Sequence, residues 1–117
     1  MAVTHVTIWH NPRCSKSRQT LALLQDRGCD ITERRYLDDA PTEAEIRDAL
    51  ALLDLPALKL MRTKEPEFKA RGLTKDSDDA TLVAAMAATP KLIERPVVFA
   101  NGKAALGRPP EAVLDLL

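Results

Sequence analysis

Residues 3–28 read VTHVTIWHNPRCSKSRQTLALLQDRG, a strand pattern followed directly by a helix pattern. Residues 3–9 alternate and are rich in β-branched side chains, which predicts a strand that an Asn-Pro pair then breaks. From Ser15 onward apolar residues recur at helical spacing, and Gly28 is a natural stop for a helix of about three to four turns. Cys14 therefore stands at the passage from a strand to a helix.

The surroundings of Cys14 favour a reactive thiolate. A cysteine at the first turn of a helix faces unpaired backbone N–H groups and the positive end of the helix dipole, both of which stabilise the thiolate. The positive charges of Arg13, Lys16 and Arg18 are expected to act in the same direction. Because the same N–H groups bind small oxyanions, we interpret this loop as a nucleophile combined with an anion site.

The composition restricts the possible classes of protein. The 117 residues fit one domain, and 17 basic residues balance 17 acidic ones. The basic residues are dispersed, so an electrostatic footprint for nucleic acid is not expected. The apolar stretches are far shorter than a bilayer span, and the N-terminus lacks the pattern of a secretion signal. We therefore expect a soluble, cytoplasmic protein that binds neither nucleic acid nor a membrane.

The chain has only two cysteines, Cys14 and Cys29. They are too few for the disulfide framework of a small secreted domain, and their spacing is not that of a zinc site. We interpret Cys14 as a reactive thiol in a reducing compartment and Cys29 as structural or incidental. Ser17 occupies the position of the second cysteine in a Cys-x-x-Cys motif, so an external thiol must resolve whatever Cys14 bonds to.

Two neighbours of Cys14 have more than one interpretation. Ser17 either hydrogen-bonds within the first helical turn or assists the thiolate or an anion. His10 tunes the thiol through its charge, orients the loop, or makes a structural hydrogen bond at the end of the strand.

The middle of the chain has the pattern of a helical insertion. Residues 31–37 form a second strand pattern, so the chain opens with a β-α-β unit whose strands are expected to be parallel. At about residues 42–90 helix patterns follow one another. The first is capped by Thr42 and ends near Asp54, and the last runs through Met86.

The end of the chain completes the predicted sheet. Residues 96–99 and 103–106 are strand patterns around Asn101-Gly102, which indicates a hairpin. A last helix starts at Pro109-Pro110, with Val113, Leu114 and Leu117 as its expected buried residues. The element order predicts one α/β domain over residues 1–117. It is a thioredoxin-like four-stranded mixed sheet with flanking helices and a helical insertion.

Proline and arginine residues mark the expected edge of this sheet. In a thioredoxin-like fold a cis-proline faces the active-site cysteine, so we predict a cis bond between Arg95 and Pro96. By spacing alone Arg62, Arg95 and Arg108 would be ordinary surface charges. The placement of Arg95 before this proline and of Arg108 before the last helix, at sheet ends expected to converge on Cys14, favours a functional role. Guanidinium groups bind a tetrahedral oxyanion through paired hydrogen bonds.

Four short motifs together resemble the glutathione/glutaredoxin-linked arsenate reductase family. They are HNPRC with the following SR (10–18), LMR (60–62), ERPVV (94–98) and GRPP (107–110). The resemblance implies that Cys14 is the nucleophile, that Arg62, Arg95 and Arg108 bind the oxyanion, and that His10 lies near the thiol. The residues expected to line the substrate site beside them are Arg13, Ser15, Lys16, Ser17, Arg18 and Pro96.

The reaction implied by the resemblance is the reduction of arsenate to arsenite. The Cys14 thiolate forms a covalent adduct with arsenate, glutathione attacks this adduct, and glutaredoxin takes up the glutathione as a mixed disulfide. Neither a metal nor a tightly bound cofactor is implied, and glutathione is a co-substrate. Ser15-Lys16 stands where well-established members commonly carry Gly-Thr, so the chain resembles a related branch with a Cys-Ser-Lys-Ser-Arg motif.

Two other functions compete with this one. The first is a monothiol oxidoreductase of the same family that acts on glutathione-linked or other thiol substrates and has little arsenate activity. The second is a redox-sensing regulator that binds RNA polymerase and shares the fold. Such regulators typically carry a Cys-x-x-Cys switch, which Ser17 removes here.

Overall fold

The computed structural model describes residues 3–117 and divides into two compact units. The first unit holds the described residues up to Asp39 together with Arg95–Leu117, and the second holds Ala40–Glu94. The second unit covers the helical insertion expected at about residues 42–90, while the grouping of the whole chain into a single domain stays a prediction. No helix among the described residues has the length and apolar character needed to cross a membrane.

The first unit is built on a four-stranded mixed sheet. Its strands are β1 (His5–Trp9), β2 (Asp30–Arg34), β3 (Val97–Ala100) and β4 (Lys103–Leu106). They lie in the order β2-β1-β3-β4. β1 pairs in parallel with β2 and antiparallel with β3, and β3 pairs antiparallel with β4. The predicted parallel pair followed by an antiparallel hairpin is confirmed.

Two strands are shorter than the sequence predicts. β1 begins at His5, two residues later than its alternation indicates. β2 ends at Arg34, because the next carbonyl, that of Arg35, accepts the backbone N–H groups of Asp38 and Asp39 in a turn. Strand propensity describes side chains that suit a sheet and does not show where the ladder of hydrogen bonds stops.

Two helices complete the first unit, namely α1 (Ser15–Asp26) and a 3₁₀ helix (Pro110–Leu116). α1 ends as predicted, with Gly28 just beyond it at a φ of +70°. Side chains from the sheet and both helices form one apolar cluster. Its buried members are Val6, Ile8, Leu24, Val98, Ala100, Val113 and Leu116.

The 3₁₀ geometry of the last helix corrects its predicted buried face. The buried residues are Pro110, Val113 and Leu116, whereas Leu114 is half-buried and Leu117 is 41% exposed. A 3₁₀ helix has three residues per turn, so residues three apart share a face. The prediction assumed the wider period of an α-helix, and Leu114 and Leu117 were therefore wrong.

The second unit consists of short helices. They are α2 (Glu43–Leu53), a 3₁₀ helix (Ala57–Leu60), α3 (Pro66–Ala70), α4 (Asp79–Ala88) and a second 3₁₀ helix (Pro90–Leu92). α2 begins with the predicted capping box, in which the Thr42 hydroxyl accepts the Glu45 N–H and the Glu45 carboxylate accepts the Thr42 N–H. α2 ends at Leu53, close to the predicted end, and its C-cap Asp54 adopts a left-handed conformation.

A close contact fixes the segment that follows β4. The Arg95-Pro96 bond is cis, as predicted, and the Arg108-Pro109 bond is also cis, which the sequence did not indicate. The backbone N–H of Gly107 donates to the Pro96 carbonyl at 3.0 Å. A Cβ on Gly107 would lie 2.5 Å from Oγ1 of Thr20 and 2.6 Å from Cγ of Pro96. Only glycine allows the chain to approach both α1 and Pro96 so closely.

The change Gly107→Ala tests this contact. The added methyl group overlaps Oγ1 of Thr20 on one side and Cγ of Pro96 on the other. We therefore expect the change to lower the free energy of unfolding by about 1–3 kcal/mol. It should also change the reactivity of Cys14 through displacement of Pro96 and α1. The measurements are urea denaturation and the rate of thiol alkylation.

The matched control is Gly28→Ala, because nothing lies within 4 Å of a Cβ on Gly28. This variant is destabilised only through its positive φ, so the reactivity of Cys14 should stay as in the wild type. Equal alkylation rates for Gly107→Ala and the wild type would refute a role of this contact in the site.

Candidate active site

Cys14 is the N-cap residue of α1 and lies in a turn built by Asn11. The backbone N–H of Cys14 donates to the Asn11 carbonyl at 3.0 Å, and the Asn11 side-chain oxygen accepts the Arg13 N–H at 3.0 Å. The Cys14 carbonyl in turn accepts the first helical hydrogen bond, from Arg18 at 3.0 Å. The thiol is free and half-buried, as expected for a nucleophile at the start of a helix.

The pKa of the Cys14 thiol lies below its usual range. Partial burial raises this pKa, but four contributions together outweigh burial. They are the backbone N–H of Ser17, the positive charge of Arg95, a side-chain hydrogen bond from Arg95 and the backbone N–H of Lys16. The expected lowering of the pKa by the helix N-terminus is therefore confirmed.

The charge that stabilises the thiolate comes from a different residue than predicted. We expected the side chains of Arg13, Lys16 and Arg18 to lower the pKa of Cys14, but the charge that does so belongs to Arg95. Lys16 acts through its backbone N–H, and Nη1 of Arg18 donates to the Pro12 carbonyl at 3.0 Å. Nearness in sequence to Cys14 did not decide which charges face the sulfur.

Two arginines from the far end of the chain meet at the thiol. Arg95 hydrogen-bonds the Cys14 thiol, and its Nε and Nη1 atoms are buried. Nη2 of Arg108 lies 3.9 Å from the Cys14 sulfur, while Nε of Arg108 donates to the Arg95 carbonyl at 2.9 Å. The structure thus brings together three of the predicted site residues, with Arg108 also holding the backbone of Arg95.

His10 lies at the end of β1 and is 2% exposed. Its Nδ1 is 2.7 Å from Oγ of Ser17, and its Nε2 is 4.0 Å from a carboxylate oxygen of Glu33. Burial lowers the pKa of His10, opposed by the charge of Glu33 and supported by those of Arg35 and Arg18. His10 is therefore neutral near pH 7, which favours an orienting role over a role through its charge.

The Ser17 hydroxyl is fully buried and belongs to the same arrangement. It accepts the backbone N–H of Asn11 at 3.0 Å and contacts the ring of His10. The arrangement fits the Nε2–H tautomer of His10, because the Ser17 hydroxyl then donates to Nδ1. The hydroxyl therefore bonds to residues that precede α1 and not within the first helical turn, whereas the backbone N–H of Ser17 is what favours the thiolate.

The other predicted residues of the anion site lie around the start of α1 and β3. The side chains of Ser15 and Lys16 are exposed in the first turn, and Pro96 is buried directly before β3. The sequence interpretation missed Asn11 as the residue that shapes the turn. Its signal was present, because asparagine before a proline commonly bonds the backbone two residues on.

Arg62 lies in the second unit, where it is held by an ion-pair network. Its Nη1 is 2.6 Å from Glu65, whose carboxylate also lies 3.6 Å from the Lys91 ammonium. Lys91 is in addition 3.1 Å from Glu67. Arg62 is thus held by contacts within its own unit, and its implied role at the anion site stays a prediction.

No three acidic, histidine or cysteine side chains within residues 3–117 are grouped so that they could hold a metal ion. The chemistry that this part of the chain offers is that of a thiolate beside guanidinium and backbone N–H donors.

Alkylation of Cys14 against pH tests the source of its low pKa. In a Cys29→Ser background, Arg95→Ala should move the midpoint to higher pH, because both a charge and a hydrogen bond that favour the thiolate are lost. Lys16→Ala is the matched control, since its backbone N–H remains and the midpoint should stay in place. A midpoint that moves with Lys16→Ala but not with Arg95→Ala would contradict this account.

Acidification tests the neutral state of His10. Because the pKa of His10 is lowered in the folded state, the unfolded chain binds the proton more readily, and stability is lost as pH falls below the reference value of 6.5. Glu33 opposes this effect, so Glu33→Gln should steepen the loss. His10→Asn, which keeps an acceptor for Ser17, should flatten it. The measurement is urea denaturation between about pH 5 and pH 8, and unchanged profiles in both variants would refute the assignment.

Comparison with known proteins identifies the family of the chain. The ArsC family model matches residues 9–116. An arsenate reductase of Neisseria meningitidis is 44% identical over 114 residues, covering 96% of this chain and 97% of that protein. The Escherichia coli protein YfgD, described as uncharacterized, is 47% identical over 96% of both chains. The structure of an arsenate reductase from Vibrio cholerae superimposes with a TM-score of 0.95 at 45% identity, covering 99% of this chain and 100% of that one. The chain belongs to the ArsC family.

Proposed function

We propose that the chain is an arsenate reductase with Cys14 as its nucleophile. The observation that carries the proposal is a thiol of lowered pKa at the N-terminus of α1, hydrogen-bonded by Arg95 and 3.9 Å from Nη2 of Arg108. A thiolate supplies the nucleophile, and guanidinium groups supply the charge that an oxyanion needs. Full-length relatives that carry the name arsenate reductase support the choice of arsenate.

The oxyanion is bound by groups that already face the sulfur. The N–H groups of Lys16 and Ser17 stabilise negative charge at the start of α1, and Arg95 and Arg108 offer paired donors to the arsenate oxygens. Ser15, Arg18 and Pro96 are the remaining predicted residues that would line the anion on the other sides. Arg62 is the third arginine that the family resemblance implies for this role.

The covalent step conserves atoms and charge in a simple way. The Cys14 thiolate attacks arsenic, an As–S bond forms, and one As–OH bond breaks to give hydroxide, which takes a proton from solvent and leaves as water, so arsenic stays in oxidation state V. Neutral His10 orients the turn that carries the sulfur through its contact with Ser17. The guanidinium groups stabilise the added negative charge of the transition state.

Two external thiols complete the reduction. The sulfur of glutathione bonds to arsenic and releases a second water. A thiol of glutaredoxin then attacks this sulfur and forms the mixed disulfide, and the As–S electron pair stays on arsenic, which becomes As(III). Water cleaves the remaining Cys14–As bond, which frees arsenous acid and the thiol. The net reaction converts arsenate and two thiols to arsenite, a disulfide and water.

The location of the second cysteine supports the use of external thiols. Cys29 lies between α1 and β2, is free, and packs against the apolar cluster of the first unit. Ser17, at the position of a second active-site cysteine, has a hydroxyl already engaged by His10 and Asn11. A neighbouring protein thiol is therefore not available to resolve the Cys14 adduct, and glutathione with glutaredoxin takes that part.

The sequence of the first helical turn favours a second candidate function. The exposed Ser15-Lys16 pair replaces the Gly-Thr of the well-established branch and alters the wall nearest the anion. A monothiol oxidoreductase acting on glutathione-linked substrates uses the same thiolate but depends less on hydrogen-bond donors to an oxyanion. Turnover of a glutathione mixed disulfide in the absence of arsenate turnover identifies this alternative.

Arsenite formation with glutathione, glutaredoxin and an NADPH recycling system tests the proposal. We expect Cys14→Ser to abolish turnover, because no thiolate remains. Arg95→Ala should lower kcat/KM by about 100-fold or more, as for removal of one donor to an oxyanion. Arg47→Ala, an exposed arginine on α2, is the matched control and should keep the wild-type rate.

Two outcomes of the same assay would contradict the proposed function or the proposed nucleophile. An inactive wild type would refute arsenate reduction, and activity that survives Cys14→Ser would refute Cys14 as the nucleophile.

A further inference from the structure

We propose that a cleft beside the Cys14 turn binds the peptide part of the thiol co-substrate, a small zwitterionic peptide such as glutathione. The cleft has a volume of about 370 Å³, within the range of small-molecule sites. Its lining residues are His10, Asn11, Pro12, Arg13, Arg35, Leu37 and Asp38, all in the first unit. This inference rests on the proposed function in that it identifies the bound thiol as the electron donor.

The charges of the cleft match such a peptide. Arg13 and Arg35 supply two guanidinium groups, and Asp38 supplies one carboxylate. Arg13 and Asp38 donate hydrogen bonds through their backbone N–H groups, and Arg35 accepts through its backbone carbonyl. A γ-glutamyl tripeptide carries two carboxylates and one ammonium group. Guanidinium pairs with carboxylate through two parallel hydrogen bonds, so the arginines suit the carboxylates and Asp38 suits the ammonium.

The apolar part of the lining suits the same ligand. Leu37 is 43% exposed, and Pro12 is exposed beside it in the cleft. Apolar walls with a few placed polar groups are typical of small-molecule sites. They would contact the methylene groups of a γ-glutamyl side chain, which a simple inorganic anion lacks.

The cleft adjoins the turn that carries Cys14. One wall is the turn closed by the hydrogen bond from the Cys14 N–H to the Asn11 carbonyl, and Arg13 directly precedes Cys14. The arginines of the cleft are Arg13 and Arg35, whereas those that face the sulfur are Arg95 and Arg108. Oxyanion and peptide therefore use different cations and bind together. This assigns Arg13 to the co-substrate rather than to the oxyanion.

Binding of S-methylglutathione to the full-length Cys14→Ser protein tests the site without any chemistry. Its sulfur is blocked, so the peptide alone is probed. We expect amide NMR shifts at Asn11, Arg13 and residues 35–38. Arg35→Ala should weaken binding about tenfold, as for a lost hydrogen bond between charged groups. Arg47→Ala is the matched control and should bind as the parent does.

A paired substitution tests the orientation of the ligand. N-acetyl-S-methylglutathione lacks the ammonium group and should bind about tenfold more weakly than S-methylglutathione. In Asp38→Asn this difference between the two ligands should disappear, because the partner of the ammonium group is gone. A difference that persists in Asp38→Asn would overturn the assignment of Asp38.

Kinetics separate failure of this inference from failure of the proposed function. In arsenate turnover, Arg35→Ala should raise the KM for glutathione about tenfold and leave kcat at saturating glutathione unchanged. Arsenate turnover with an unchanged KM, or shifts outside the cleft, would overturn the inference and leave the proposed function intact. Binding in the cleft without arsenate turnover would support the inference and refute the proposed function.

Discussion

The buried hydroxyl of Ser17 joins the end of β1 to the first turn of α1, and the geometry of the site depends on this connection. It accepts the Asn11 N–H and contacts His10, so strand, turn and helix meet at one oxygen. Buried polar groups that are fully bonded fix a single arrangement, because any other leaves a polar atom without a partner. The hydrogen bond from the Cys14 N–H to the Asn11 carbonyl then holds Cys14 where the N–H groups of the helix face its sulfur.

The site must also overcome the repulsion between the Cys14 thiolate and a negatively charged substrate. A thiolate and an approaching oxyanion are both negative, and two unit charges 4 Å apart repel by about 4 kcal/mol at an effective dielectric constant near 20. Lowering the pKa of Cys14 alone would increase this repulsion. Arg95 and Arg108 act on both partners at once, since one hydrogen-bonds the thiol and the other lies 3.9 Å from it. The hydrogen bond from Arg108 to the Arg95 carbonyl sets their spacing.

Local sequence signals predicted most of the fold and the position of Cys14 at the start of α1. The Asn101-Gly102 turn adopts positive φ at both residues, as its hairpin requires, and the Thr42 capping box is present. The signals failed where geometry depends on distant parts of the chain. The 3₁₀ period of the last helix changed its buried face, and the charge beside Cys14 came from Arg95. Residues that are close in sequence point to different sides of a helix. In contrast, β3 and the segment after β4 bring residues that are far apart in sequence close together in space.

Ser17, which stands at the position of the second cysteine of a Cys-x-x-Cys motif, affects both the chemistry and the structure of the site. It removes the option of an internal disulfide, and its hydroxyl makes the bonds that hold His10 and Asn11. A cysteine there would offer only a weak donor and acceptor, so a dithiol site would lose the anchor of its own turn. In the proposed reaction the reducing electrons come from a thiol bound beside Cys14. A bound thiol reacts at the high effective concentration of an intramolecular step, which a dissolved thiol at ordinary concentration does not reach.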